Sequence, residues 1–305
     1  MRAFLADIPE LPAEEHPLLV LQEQKLLLPG ATPAGQGRVV RFRETGQGRP
    51  LVLLHGPWTS IFSFRNLIYP LQREHRVIVP EVLDLIDEPT GVLPEKLAQS
   101  ILALISALGI NRPVVVGQAE CGIAALDLAV SQPEALAAVV VLGSSLQHPL
   151  TRRLRGLWLS RRFALRLFAH RCFKDPHRAT MALLPKKRSD LVSQQEIRYM
   201  ERRFGSLALT RRTVSILAQT IGPVFNREVA AVIRRLREKR PAVMLRLVYT
   251  NADHNREASR KHGEILHRLL PGSELYIAEP KVDDPAVERP DWTANIIAVA
   301  SKTAG

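Results

Sequence analysis

Val114-Val115-Val116-Gly117-Gln118-Ala119-Glu120-Cys121-Gly122 decides the fold. Three β-branched residues in a row favour a buried strand, Gly117 marks a turn, and Ala119 to Ser131 reads as a helix. A strand running through a glycine straight into a helix is the first half of a βα unit. The same alternation recurs on both sides. Upstream, Arg38 to Arg43 reads as a strand, Thr45 to Gly48 as a turn, and Leu51 to Leu54 as a buried strand ending at His55-Gly56. A helix over Ile61 to Gln72, a strand over Val77 to Val79 and an amphipathic helix over Glu95 to Leu108, stopped by Gly109, complete that side. Downstream come a strand over Leu136 to Leu142, another over Val243 to Tyr249, a helix over His254 to Leu270, a strand over Glu274 to Ile277 and a closing helix over Trp292 to Ala300. Nearly all-apolar strands alternating with helices predict an α/β fold, a mostly parallel sheet flanked by helices.

The chain has 305 residues, 46% apolar and 24% charged, enough for one large domain and unlike a disordered or fibrous sequence. Residues 1–37, with five prolines, read as an N-terminal arm whose stretch Leu18 to Leu28 can add an edge strand. The core is expected over 38–145 and 241–305. Between Leu146 and Pro241 stand 23 Lys and Arg against 6 Asp and Glu, so this segment carries the excess behind the net charge of +12. Its helical, arginine-rich character reads as a cap inserted over 146–240. No apolar run is long enough to span a bilayer, and Met1 to Glu15 lacks a signal-peptide pattern, so a cytoplasmic protein is expected. Cys121 and Cys172 match no disulfide framework or zinc spacing.

Four features in this order resemble the α/β-hydrolase superfamily, in particular its capped, epoxide hydrolase and haloperoxidase-like branch. Arg49 to Gly56 is similar to the strand that ends in His-Gly and leads into the oxyanion loop. Val114 to Gly122 resembles the strand, sharp turn and helix of the nucleophile elbow, usually G-x-S-x-G. Val243 to Asp253 looks like the strand and loop of the triad acid, and Glu274 to Pro290 like the last strand and the histidine loop. The cap matches in position alone.

The resemblance implies a catalytic triad whose members are replaced. Ala119 stands at the nucleophile position, and a methyl group cannot attack. Spacing from Glu288-Arg289-Pro290 puts Asp283 at the histidine position. Pro57, after His-Gly, has no N–H to give the oxyanion hole. Loss of one such donor typically costs about a hundredfold in rate, and loss of nucleophile or base about a millionfold. Cys121 replaces the second glycine of the motif and is expected to crowd the helix against the strand. As a nucleophile it is disfavoured against a small buried hydrophobe.

The resemblance therefore implies a non-hydrolytic protein that binds an apolar or acyl small molecule, its pocket walled by His55, Trp58 and Gln118 and by Leu154 and Trp158 of a cap stripe that continues through Leu157, Leu165 and Phe168. The basic cap would engage an acidic carrier protein or an anionic membrane surface. The alternative is a repurposed biosynthetic cyclase, decarboxylase or other lyase using Asp253, Asp283 or Glu120 as acid or base without a covalent intermediate. No cofactor or metal is implied, since phosphate-binding, dinucleotide and zinc signatures are absent. Nucleic acid is disfavoured, because the charge comes without a recognition motif and with 5% aromatic content.

Overall fold

The computed structural model describes residues 17–29, 37–86, 92–144, 161–183, 194–220, 223–251, 260–280 and 282–303. Eight strands form one sheet: β1 (Gln24–Leu28), β2 (Arg38–Thr45), β3 (Arg49–Leu54), β4 (His75–Pro80), β5 (Val114–Gln118), β6 (Ala138–Leu142), β7 (Met244–Tyr249) and β8 (Glu274–Ile277). Their spatial order is β1-β2-β4-β3-β5-β6-β7-β8. β2 pairs antiparallel with both β1 and β4, and every other pair is parallel. The edge strand expected within Leu18 to Leu28 is β1, so the sheet begins ahead of residue 38.

The described helices are α1 (Pro17–Val20), α2 (Arg65–Leu71), α3 (Val82–Leu85), α4 (Pro94–Ala107), α5 (Glu120–Ser131), α6 (Arg161–Lys174), α7 (Pro176–Leu183), α8 (Gln194–Glu201), α9 (Leu207–Thr220), α10 (Pro223–Lys239), α11 (Arg260–Leu269), α12 (Pro285–Glu288) and α13 (Pro290–Thr303). The helix expected over Ile61 to Gln72 is a 3₁₀ turn over Ile61–Phe64 followed by α2, and α3 and α12 are short helices that periodicity does not reveal.

Strand alternation divides the core. Leu51, Leu53, Val77, Val79, Val114, Val116 and Val140 face one layer, with Leu67 and Ile68 of α2 and Ile297 of α13. Val52, Leu54, Ile78, Val115, Val139, Val141 and Leu247 face the other, with α4, α5 and Leu266 of α11. The last helix of the basic segment belongs to this second layer. Phe225, Val229, Val232 and Leu236 of α10 are buried in it, and Arg235 of α10 reaches Asp127 of α5 at 2.6 Å. Arg235 apart, the basicity of α10 is therefore on the solvent face of a helix that packs on the core, with Arg234, Arg237 and Lys239 exposed.

The cap stripe is corrected too. Leu154, Leu157 and Trp158 lie outside the described residues. On α6 the inward residues are Ala169 and Cys172, packed with Phe204 and Val214, with Leu165 at their edge, whereas Phe168 is 51% exposed. β7 carries a buried guanidinium, Arg246, which pairs with Glu274 of β8 at 2.9 Å and donates to the Ile296 carbonyl at 2.6 Å.

α5 is buried along its length from Glu120 to Val130 and sits against the middle of the sheet. Its approach is set by glycines. A Cβ on Gly117 would stand 2.7 Å from both the Cys121 carbonyl carbon and the Gly122 Cα, and one on Gly122 would overlap the Ser144 hydroxyl. The crowding expected from Cys121 does not occur, because Gly122 fills the close-packing role and the Cys121 side chain turns to the His55 carbonyl, its Sγ 3.1 Å away. Gly117→Ala is expected to cost about 2 kcal/mol, as overpacking against backbone does, read as a lower denaturation midpoint at unchanged slope.

Candidate active site

All the parallel strands end on one edge, where parallel α/β sheets place their ligands. β3 ends there at Leu54, β5 at Gln118, β6 at Leu142, β7 at Tyr249 and β8 at Ile277. Between β5 and α5 the chain reverses at Ala119, whose φ of 53° and ψ of −124° are unfavourable for any residue with a Cβ. The turn is held all the same. The Ala119 N–H reaches the Leu142 carbonyl at 3.3 Å, and the Ser144 hydroxyl donates to the Ala119 carbonyl. The side chain so presented, half-accessible at the edge, is a methyl group.

The loop after β3 wraps this turn. A Cβ on Gly56 would stand 3.2 Å from the Ala119 Cβ, so the two loops touch most closely with glycine there. Trp58 donates its indole N–H to Glu120 Oε1 at 3.1 Å, and the Thr59 hydroxyl reaches Gln118 Oε1 at 3.3 Å. Trp58, Gln118, Ala119 and Glu120 are thus brought together. His55 is not a wall of the cleft. It is fully buried, with Nδ1 2.8 Å from the Gly56 carbonyl and Nε2 accepting the Val82 N–H at 3.2 Å. Cys121 is also fully buried, and its thiol is pushed well above the usual range by burial and by Glu120 beside it, which leaves it inert as a nucleophile.

Below the loop lies a polar network that sequence reading missed. Glu81, 5% exposed at the end of β4, accepts from the Tyr199 hydroxyl at 2.7 Å and from Arg203 at 3.2 Å, and lies 3.5 Å from His55 Nε2. Burial alone would raise its pKa, yet the Arg203 guanidinium, His55 and the Tyr199 hydroxyl outweigh it and hold the carboxylate well below its ordinary range. Arg203 also reaches the Pro57 carbonyl at 3.4 Å. Beside it, Glu196 of α8 accepts from the Ser60 hydroxyl at 3.4 Å and pairs with Arg65 at 3.5 Å. Burial pushes the Glu196 carboxyl up. Glu196 and Arg203 therefore tie down the loop carrying Pro57 and Ser60, while Tyr199 and Arg203 hold Glu81. Glu81 was traceable in principle, as a carboxylate at a strand's C-terminal end. Its partners, over a hundred residues away, were not.

Asp283 and Asp284 occupy the loop before α12. Glu288 Oε1 accepts both of their N–H groups, at 2.8 and 2.9 Å, while Asp284 Oδ1 accepts the Ala286 N–H at 3.0 Å, a reciprocal capping arrangement. Burial, reinforced by Glu288, raises the Asp284 pKa to about 6 against the opposing pull of the Ala286 N–H and Arg65. Asp253 lies outside the described residues. Among the described residues, no group of His, Cys, Asp and Glu could hold a metal ion, and no helix is long and apolar enough to cross a membrane. A cleft of about 820 Å³ lined by Pro133, Leu236, Val243 and Glu274 opens at the opposite edge, where β6, β7 and β8 begin, away from the elbow.

This sheet order, elbow and intervening helices define the α/β-hydrolase fold. An epoxide hydrolase from Vigna radiata superposes with a TM-score of 0.68 at 18% identity, covering 93% of this chain and 98% of its own. No family profile matches the chain. A 2-hydroxy-6-oxo-6-phenylhexa-2,4-dienoate hydrolase from Comamonas testosteroni is 28% identical over 116 residues, 34% of this chain and 40% of that protein. A cis-3-alkyl-4-alkyloxetan-2-one decarboxylase from Shewanella oneidensis is 27% identical over 135 residues, 41% of this chain and 42% of that protein. The alignments thus span about two fifths of these curated relatives. Relatives and structural neighbours alike are members of the α/β-hydrolase superfamily.

Arg203→Met leaves the Glu81 carboxylate buried without its guanidinium and is expected to cost about 3 kcal/mol in unfolding free energy. Adding Glu81→Gln should recover much of that loss, which a double-mutant cycle by urea denaturation measures.

Proposed function

We propose that this protein is a non-hydrolytic member of the α/β-hydrolase fold, binding an apolar or acyl small molecule between the sheet edge and the cap. The observation that carries this reading is Ala119, a methyl-bearing residue held at φ 53° in the turn where the resemblance places the nucleophile. Backbone strain of this kind is usually kept for function. Here the geometry is retained and the attacking group is absent. Two further features support the reading. Pro57 offers no N–H to an oxyanion, and its carbonyl is taken by Arg203. Asp283, at the expected histidine position, has its backbone fixed by Glu288.

The purified protein is expected to release no p-nitrophenol from esters of short or long acids above the uncatalysed rate, and Ala119→Ser is expected to leave that unchanged. Native mass spectrometry of protein from its own host should show a retained small molecule. Ester turnover that disappears with Glu120→Gln or Asp253→Asn would refute the proposal.

A second reading, a lyase or decarboxylase working by carboxylate acid/base chemistry, has its own observation in Asp284, whose pKa of about 6 suits proton transfer near neutrality. Its support from the relatives is the decarboxylase name, and it adds Asp284 to the Asp253, Asp283 and Glu120 considered from sequence. Because burial raises this pKa above the ordinary 3.8, the protonated carboxyl contributes stability that is complete below the ordinary value and is lost as pH rises through about 6. Asp284→Asn keeps a capping oxygen and cannot ionise. It is expected to gain on the wild type by on the order of 2 kcal/mol between about pH 4 and about pH 7, measured by urea denaturation.

A further inference from the structure

We propose that the outer face of the cap, where α6 and α9 meet, docks on an anionic phospholipid surface. The inference is independent of whether the elbow is active. α6 carries five Lys and Arg among fourteen residues and no acid, and α9 carries Arg211 and Arg212, again with no acid. Arg212 is turned inward to the carbonyls of Leu83 and Ile86, at 2.8 and 3.0 Å, and holds α9 to the core. Arg166 of α6 and Arg211 of α9 are exposed.

These two guanidinium groups line a groove of about 450 Å³, together with Leu165, Ala169, Val214 and Ser215. A shallow apolar groove with two arginines matches one ligand chemistry well: an anionic phosphate head with an acyl tail.

A second, separate observation concerns the solvent side of α6, away from the groove. Leu167, Phe168 and Phe173 are 46%, 51% and 38% exposed, interleaved along α6 with exposed Arg166, Arg171 and Lys174. Three large apolar side chains in water on one short helix have no role in the cap's own core, which Ala169, Cys172, Phe204 and Val214 fill. Aromatic and leucine side chains that enter the headgroup region, next to basic side chains that meet lipid phosphates, form an interfacial anchor. An acidic protein would satisfy the arginines but gives no reason for an acyl-sized apolar groove between them. Lipid satisfies both.

The test is flotation of the full chain with vesicles of phosphatidylglycerol mixed with phosphatidylcholine, against vesicles of phosphatidylcholine alone. The protein is expected to float with the anionic vesicles only, and less so as salt rises. Two double variants separate the contributions. R166Q/R211Q removes the charge beside the groove and L167S/F168S removes the apolar anchor. Each is expected to weaken binding at least about tenfold while leaving the melting transition in place, since all four side chains lie outside the buried core. Equal flotation with both vesicle types, flotation with neither, or anionic binding indifferent to L167S/F168S would overturn the proposal. So would preferential capture of an acidic carrier protein over the vesicles.

Discussion

The close approach of α5 to β5 governs the architecture around the sheet edge. Gly117 and Gly122 let the helix begin against the strand it has just left, and no side chain at either place fits between backbone and the Ser144 hydroxyl. From this contact follow the left-handed turn at Ala119, the half-buried position of its side chain at the sheet edge, the burial of Cys121 under His55, and the indole-to-carboxylate bond between Trp58 and Glu120. The turn is specified by backbone packing and by hydrogen bonds from the Ala119 backbone to Leu142 of β6 and to Ser144 just beyond it, with no contribution from the side chain at its apex. That separation explains how a scaffold of this kind keeps its form when its chemistry changes: the parts that build the elbow are different atoms from the parts that would react on it.

Much of the fold was legible because its signals are local. Runs such as Val114 to Val116 and Val139 to Val141 announce buried strands, and glycines after them announce the turns. The corrections come where a local pattern is ambiguous. Gly122 sits one residue beyond the motif position occupied by Cys121, and spacing alone does not say which of the two faces the strand. Phe168 lies at helical spacing from Leu165, yet the inward arc of α6 runs through Ala169 and Cys172. α10 joins its apolar stripe to the core with Arg234, Arg237 and Lys239 outside and Arg235 turned in to Asp127, a division that a count of charge cannot show. At the site, the cluster of Trp58, Gln118, Ala119 and Glu120 was legible from neighbouring loops. The clamp of Glu81 by Tyr199 and Arg203 was not, because its partners are brought together only by tertiary packing.

The arginines of the insertion and of α10 divide into two populations that composition treats as one. Arg203, Arg212 and Arg235 point inward, to a buried carboxylate, to loop carbonyls and to Asp127 of α5. They act as struts between helices and sheet, where desolvated charge is tolerated because each guanidinium finds fixed oxygens. Arg166, Arg171 and Arg211 stay in water and supply long-range field.

Arg246 places an ionic group inside a strand that is otherwise apolar, paired to Glu274 and bonded to the Ile296 carbonyl. The two faces of β7 would both accept Leu, Val or Met, so hydrophobicity alone would let the strand slide by one residue between β6 and β8. A slide of one residue would turn the guanidinium to the opposite face, among Leu245, Leu247 and Tyr249, where it would meet hydrocarbon. The single buried charge thus works as a key that admits one alignment of the strand. By fixing β7 it also fixes the height at which the loop after Tyr249 leaves the sheet.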